Sequence, residues 1–170
     1  MAKINNGKRF ENNFKNSVPS NVFCYRFKDG TANFNGARNI NVRFQAKNIC
    51  DFMLFDGKKL FLLELKSHKG KSLPLSCVRP NQIAELYKAS IYTNVVSGII
   101  IHFSDLDEIY FIEINKYIEY IKNNQDKKSI PILFLKENGI LIECEKKEIN
   151  IKLKLNEFIN NCWQDINDCI

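Results

Sequence analysis

The 170-residue sequence has only two histidines, His68 and His102, and its six cysteines (Cys24, Cys50, Cys77, Cys144, Cys162 and Cys169) form no C-x-x-C pair. That scatter does not fit zinc-ligand spacing, and the thiols read as reduced and buried, as in a reducing compartment. No stretch approaches the roughly 18 to 20 uninterrupted apolar residues of a membrane span. Met1 to Arg9 lacks the apolar region of a signal peptide, so a cytoplasmic protein with no membrane partner is expected. Repeats, low-complexity segments, a glycine-rich phosphate loop and a nucleophile elbow are also missing, which argues against P-loop and Ser-His-Asp chemistry.

What remains is an ordinary globular composition, 45% hydrophobic and 26% charged, in a chain of single-domain length that can bury a core without staples. A single domain over residues 1–170 is expected. Net charge is +6, and it is unevenly placed: residues 1–80 carry 15 Lys and Arg against 5 Asp and Glu, whereas residues 81–170 carry 10 against 14. A half this basic points to a polyanion as partner.

The chain is organised around Asp51 to Ser67, D-F-M-L-F-D-G-K-K-L-F-L-L-E-L-K-S. Two apolar runs flank an Asp-Gly pair, the signature of a β-hairpin. Because side chains alternate along a strand, Leu60, Leu62, Glu64 and Lys66 share one face and Phe61, Leu63 and Leu65 the other. If Asp56 and Gly57 form the loop, Asp51 lies opposite Leu62 and diagonal to Glu64. If Gly57 and Lys58 form it, Asp51 lies directly opposite Glu64. A three-residue loop would send Asp51 to the other face. Both two-residue registers gather Asp51, Glu64 and Lys66 on one side, within reach of one another. Two carboxylates and a lysine at a sheet suit a hard divalent cation, Mg²⁺ with Mn²⁺ able to substitute, which takes one or two carboxylates and completes its shell with water, backbone and substrate phosphate. The bland alternative is a buried ion pair, which is costly and contributes little net stability.

Around this hairpin, Phe10, Phe14 and Val18 give a helical stripe over residues 6–17 that Pro19 ends, with Lys8, Arg9, Glu11 and Lys15 beside it. Residues 22–27 read as a strand extended by Arg26 and Lys28. Residues 28–48 are polar, with Arg38, Arg43 and Lys47, and read as a protruding loop or short stalk whose charge suits a nucleic acid. After the hairpin, S-H-K-G-K at residues 67–71 makes a basic turn carrying Lys69 and Lys71. Pro80 opens a helix with Ile83, Leu86, Tyr87 and Ile91 as its buried stripe, and Arg79 and Gln82 at its N-terminus are placed to border a phosphate. Residues 97–103 and 108–114 read as neighbouring strands, with His102 a packed histidine rather than a ligand. Residues 116–122 read as a short helix. Weak strand signals at 140–144 and 149–153 precede a final amphipathic helix with Phe158, Ile159 and Trp163.

The acid at the start of one strand and E-x-K on the next, Asp51 and Glu64-Leu65-Lys66, resemble the PD-(D/E)xK nuclease superfamily. The flanking stretches sharpen this. G-K-R-F-E at residues 7–11, S-L-P-L at 72–75, N-Q-I at 81–83 and K-K-S-I-P at 127–131 are similar, in matching order, to RecU-type Holliday junction resolvases, over roughly residues 7 to 140. The resemblance implies an α/β fold with a restriction-endonuclease-like core, a mixed central sheet flanked by helices. It implies a homodimeric, Mg²⁺-dependent endonuclease acting on branched DNA. Asp51 and Glu64 would be metal ligands with the Leu65 carbonyl, Lys66 the catalytic lysine, and Glu11 and Gln82 further catalytic positions. Lys8, Arg9, Arg26, Lys28, Arg38, Arg43, Lys69, Lys71 and Arg79 would contact DNA. Two features depart from the pattern: Asn48-Ile49-Cys50 supplies no proline or threonine just before Asp51, and the segment before the hairpin is shorter than the family's stalk. Two other activities suit the same residues, a site-specific or repair nuclease and a non-catalytic DNA-binding recombination accessory protein.

Overall fold

The computed structural model describes residues 6–27, 30–33, 43–46, 48–147 and 150–164. Helix α1 (Asn6–Ser17) forms over the Phe10/Phe14 stripe, and both phenylalanines are buried. Its last residue closes it, because Ser17 Oγ donates to the Asn13 carbonyl at 2.7 Å. The chain then enters β1 (Phe23–Arg26), β2 (Gly30–Asn33), β3 (Arg43–Ala46), β4 (Phe52–Phe55) and β5 (Leu60–His68). β6 (Ser72–Pro74) and a 3₁₀ turn (Leu75–Cys77) lead to α2 (Pro80–Ser90), β7 (Val95–Phe103) and β8 (Glu108–Glu113). Next come α3 (Ile114–Asn123), β9 (Ser129–Pro131), α4 (Ile132–Asn138), β10 (Ile140–Leu141), β11 (Cys144–Lys147), β12 (Asn150–Leu153) and α5 (Leu155–Gln164).

Six strands make one sheet in the order β1-β4-β5-β7-β8-β10. β5 and β7 run parallel while the other neighbours are antiparallel, so the sheet is mixed and its parallel pair is joined through α2. β7 and the first half of β5 are almost wholly apolar, as strands buried on two faces require, and the polar residues of β5 (Glu64, Lys66, Ser67 and His68) gather in its second half. Their alternate side chains feed two cores. Phe61, Leu63 and Leu65 join Phe10 and Phe14 of α1 and Phe158 and Ile159 of α5. Leu62, Ile99 and Ile101 join Leu86 of α2 and Tyr117 and Tyr120 of α3. The layers are therefore helix, sheet, helix, the α/β architecture expected. At the middle of β7, Gly98 lets β8 approach: a Cβ there would meet the Ile112 carbonyl oxygen at 2.3 Å and the Phe111 ring at 2.6 Å.

Three smaller pairings complete the fold. β11 pairs with β12, and the Ser17 hydroxyl accepts the Leu153 amide at 2.9 Å, fastening that ribbon to α1. β6 pairs with β9, Leu73 opposite Ile130, so the S-L-P-L and K-K-S-I-P stretches, distant in sequence, lie side by side. Of the 28–48 segment, the described residues form an antiparallel pair, Gly30 opposite Ala46 through Asn33 opposite Arg43. Lys28, Arg38 and Lys47 lie outside the described residues, as do Cys169 and the side chains of Arg43 and Trp163. The five described cysteines are all free thiols.

One sequence expectation fails in α2. Leu86 is buried, but Tyr87 and Ile91 are exposed. Ile83, Tyr87 and Ile91 form a single i, i+4, i+8 row, while α2 meets β7 and α3 through the neighbouring row that carries Leu86. α3 starts two residues before its expected first turn, and α4 forms over residues for which no helix was expected.

Candidate active site

The β4–β5 ladder pairs Phe52 with Leu63, Met53 with Leu62, Leu54 with Phe61 and Phe55 with Leu60. This is the Gly57-Lys58 register, which sets Asp51 across from Glu64. Gly57 takes φ 97°, which suits glycine. Asp56 Oδ1 accepts the amides of Lys58 and Lys59 at 2.8 and 2.7 Å, and this cap on the turn selects one register over the other. Lys59 is itself buried, its Nζ donating to the Cys162 carbonyl of α5 at 2.5 Å, which anchors the hairpin end in the core.

Glu64 is 1% exposed, in the middle of the sheet. Lys66 Nζ donates to its Oε1 at 2.6 Å, and the lysine side chain is 21% exposed, so it reaches from solvent down to a buried acid. The second oxygen, Oε2, is buried with no hydrogen-bond partner. Asp51 Oδ2 accepts the Leu65 amide at 2.8 Å. The Leu65 N–H thus points toward Asp51, and in an extended strand the carbonyl of the same residue faces the same neighbour. Burial, with the charges of Glu64 and Asp51 adding to it, pushes the Cys50 thiol up to about 12, so this neighbour is a neutral thiol.

These groups fit a hard divalent cation. A buried carboxylate oxygen without a partner is costly unless something charged or donating comes to it. Two carboxylates, with a backbone carbonyl on the same side, are the donor set Mg²⁺ uses when water and substrate oxygens supply the rest. Among the described residues no group of three or more His, Cys, Asp or Glu could hold a metal by itself, so the remaining positions would belong to solvent and substrate.

Glu11 is held by Arg26. α1 packs on the opposite face of the sheet, where the Glu11 carboxylate pairs with Arg26 of β1. Arg26 lies across from Phe52, and the Phe27 amide donates to the Asp51 carbonyl at 2.9 Å, so the pair braces the end of the sheet from which Asp51 emerges. Gln82 accepts the Arg79 amide through Oε1 at 3.1 Å and so caps α2. That is a structural role the sequence did not suggest. Lys8, Lys69, Lys71 and Arg79 are exposed and Arg9 partly so. The Lys69–Lys71 turn is held by Gly70, with φ 90°, whose amide donates to Asp105 at 3.0 Å.

Sequence reasoning missed one feature of the same face. Phe23, Tyr25 and Phe55, exposed at 56, 47 and 43%, line up beside Met53 on the side that carries Asp51 and Glu64. Alternation along β1 shows them only once the β1–β4 register is known.

The family model described as "Recombination protein U" matches residues 15–161. The chain belongs to the RecU family. A "SPbeta prophage-derived uncharacterized protein YotM" of Bacillus subtilis (strain 168) is 34% identical over 174 residues, covering 92% of this chain and 86% of that protein, a likeness consistent with a phage-type member. The RecU of Streptococcus sanguinis (strain SK36), named a Holliday junction resolvase, is 23% identical over 111 residues, 65% of this chain and 55% of that protein. Among solved structures, the Hjc resolvase of Archaeoglobus fulgidus aligns with a TM-score of 0.52 at 12% identity, covering 79% of this chain and 95% of that one. The restriction-endonuclease-like α/β fold expected of a RecU chain is thus supported by the likeness of the backbone as well. No helix among the described residues is long and apolar enough to cross a membrane.

Proposed function

We propose that this RecU-family chain is a Mg²⁺-dependent endonuclease that resolves four-way DNA junctions by paired symmetric nicks, working as a homodimer in the cytoplasm. The observation that carries the reading is the buried, unpartnered Oε2 of Glu64, facing the same side as Asp51 and with Lys66 hydrogen-bonded to its other oxygen. Family membership and the activity named for the Streptococcus relative support it. When bound, Mg²⁺ or Mn²⁺ would supply Lewis acidity and lower the pKa of a ligated water.

The protein groups do the rest. Asp51, tied to the Leu65 amide, is held in one rotamer beside the ligand set. Glu64 offers a desolvated oxygen that needs no rearrangement. Lys66, anchored by Glu64 Oε1, presents its remaining N–H groups toward solvent, where a scissile phosphate would lie. There it either orients and deprotonates the attacking water or stabilises the charge that develops on the phosphate. The exposed Lys69–Lys71 turn follows directly from β5 and suits the flanking backbone of a bound strand. The aromatic strip of Phe23, Tyr25 and Phe55 is the uncovered apolar surface a second copy would bury.

The test is incubation with Mg²⁺ and three DNAs, a four-way junction, a linear duplex and a flap. Symmetric nicks in the junction alone support the proposal. Cutting of the linear duplex at a fixed sequence moves the chain to the site-specific nucleases, and junction binding with no cutting of any substrate moves it to the accessory proteins.

A further inference from the structure

On the α1 side of the sheet, behind the residues that carry the proposed chemistry, a cavity of about 290 Å³ lies between α1 and the ends of β5 and β7. His102 lines it, 9% exposed, its ring stacked on Phe10 with centroids 4.8 Å apart. Nδ1 lies 3.3 Å from Ser67 Oγ, and Nε2 is buried with no hydrogen-bond partner. Asn13 lines the same cavity at 6% exposure. Its backbone carbonyl takes the Ser17 hydroxyl at 2.7 Å. Buried polar groups almost always have partners. One idle group, His102 Nε2, at a residue lining the cavity marks a place where a ligand completes the bonding.

The charges on the wall select the ligand. Arg9 of α1 and Lys69 of the β5–β6 turn bring cations to it. Two acids share the wall: Asp107, whose charge Lys146 offsets at 2.5 Å, and Asp105, which keeps its charge while accepting the Gly70 amide at 3.0 Å, so Arg9, Lys69 and Lys146 outnumber the acids. Burial, helped by Arg9 and opposed by Asp107, holds the His102 imidazole below its ordinary pKa and therefore neutral. In the tautomer that lets the Ser67 hydroxyl donate to Nδ1, the ring proton sits on Nε2, the nitrogen left without a partner. A site with neutral donors at its base and cations at its rim accepts an anion with several oxygens.

We infer that this cavity holds a backbone phosphate of bound DNA other than the scissile one, with His102 Nε2 and the Asn13 amide donating to its oxygens and Arg9 and Lys69 supplying charge. The inference takes the source of the phosphate from the nuclease reading above, but its test does not depend on cleavage. Binding is measured in EDTA by fluorescence anisotropy on junctions and duplexes in which single linkages are replaced in turn by uncharged methylphosphonates. The expected result is one linkage at which the wild type loses about tenfold in affinity, the scale of a hydrogen bond to a charged group. His102→Phe, which keeps a ring against Phe10, and Asn13→Asp, which keeps the shape and adds a negative charge, should each bind unmodified DNA about tenfold more weakly. Neither should lose more at that linkage, because its partner is already gone. Circular dichroism identifies a variant that fails to fold, in which case the other carries the comparison.

Variants with the wild-type linkage pattern, or with wild-type affinity, overturn the inference, and so does a chain that binds no DNA. An NMR signal of the His102 ring that moves with inorganic phosphate, while no linkage depends on His102, assigns the cavity to a free anion and also overturns it. A His102-dependent linkage in a protein that cuts no DNA keeps the pocket and removes the nuclease reading instead.

Discussion

Asp51 accepts the backbone amide of Leu65 at 2.8 Å, so one acid of the pair is fastened to the strand that carries the other. This bond makes the site a property of the sheet and not of a loop. Replacing Asp51 by Asn keeps an acceptor for that amide but removes the charge. Glu64→Gln likewise keeps the shape. Each should lower junction cleavage at least about 10³-fold, since the charge stabilisation contributed by a bound metal amounts to several kcal/mol. Junction affinity in EDTA should be unchanged or improved, as read by gel shift. Loss of binding in parallel with cleavage would remove the metal-ligand assignment.

The Lys66–Glu64 pair is asymmetric, with a buried acid and a lysine that reaches solvent. Lys66→Met leaves a buried carboxylate without its cation, which should cost about 3 kcal/mol of folding stability, the low end for breaking a buried pair. Urea unfolding checks this. Adding Glu64→Gln to the same chain should restore most of the loss, because the uncompensated charge is then gone. A double variant as unstable as the single one would mean that Lys66 contributes by packing.

Lys69 and Lys71 sit on a turn that Gly70 and Asp105 hold rigidly. Their ammonium groups are exposed, so under the proposed function their contribution to DNA binding would be the release of counterions. Changing both to Gln should weaken binding to every DNA alike and flatten the slope of log K against log salt by about 2. An unchanged slope would place this turn away from the phosphates.

Much of this site was legible because strand alternation has a period of two. Either two-residue loop puts Asp51, Glu64 and Lys66 on one face, so the cluster followed from the sequence before the register was known. The choice between registers was not legible, because it depends on Asp56 capping Lys58 and Lys59 and on Lys59 reaching α5, a contact across 103 residues. The same reason hid the roles of Glu11 and Gln82. A helix stripe shows which residues face the core, but the pairing of Glu11 with Arg26 depends on where β1 docks, and Gln82 looked like a rim residue until its oxygen was found on the Arg79 amide. In α2 the apolar residues form two adjacent rows, and only packing against α3 decides which one is buried. The motif stretches at 72–75 and 127–131 carry no signal of contact in the sequence, and their pairing as β6 and β9 rests on long-range packing.

Gly98 holds the sheet together by what it lacks. Ala at this position would drive a methyl into the Ile112 carbonyl oxygen and the Phe111 ring, and a backbone atom cannot rotate away. Gly98→Ala should therefore cost about 3 kcal/mol or more, at the upper end for overpacking. The strain falls on β7, the parallel partner of the strand that carries Glu64 and Lys66. Thermal unfolding should show the loss. A variant as stable as the wild type would mean that β8 can move outward without disturbing the core.

His102 gives the fold a dependence on acid that can be assigned in sign. Burial lowers its pKa below 6.5; Asp107, at the β7–β8 turn, opposes this shift, and Arg9, on α1, reinforces it. In the unfolded chain the ring regains its ordinary pKa, so at pH values between the two the unfolded state binds more protons than the folded one. Stability therefore rises with pH in that window. The contribution is complete above about pH 6.5 and is lost as pH falls through the lower, folded value. Each unit of separation corresponds to about 1.4 kcal/mol. Urea midpoints measured from pH 7.5 to 5 should fall more steeply for the wild type than for His102→Phe, which keeps the stack on Phe10 and has nothing to titrate. Equal slopes for the wild type and His102→Phe would mean that the imidazole gains a proton in the folded state as readily as in the unfolded chain.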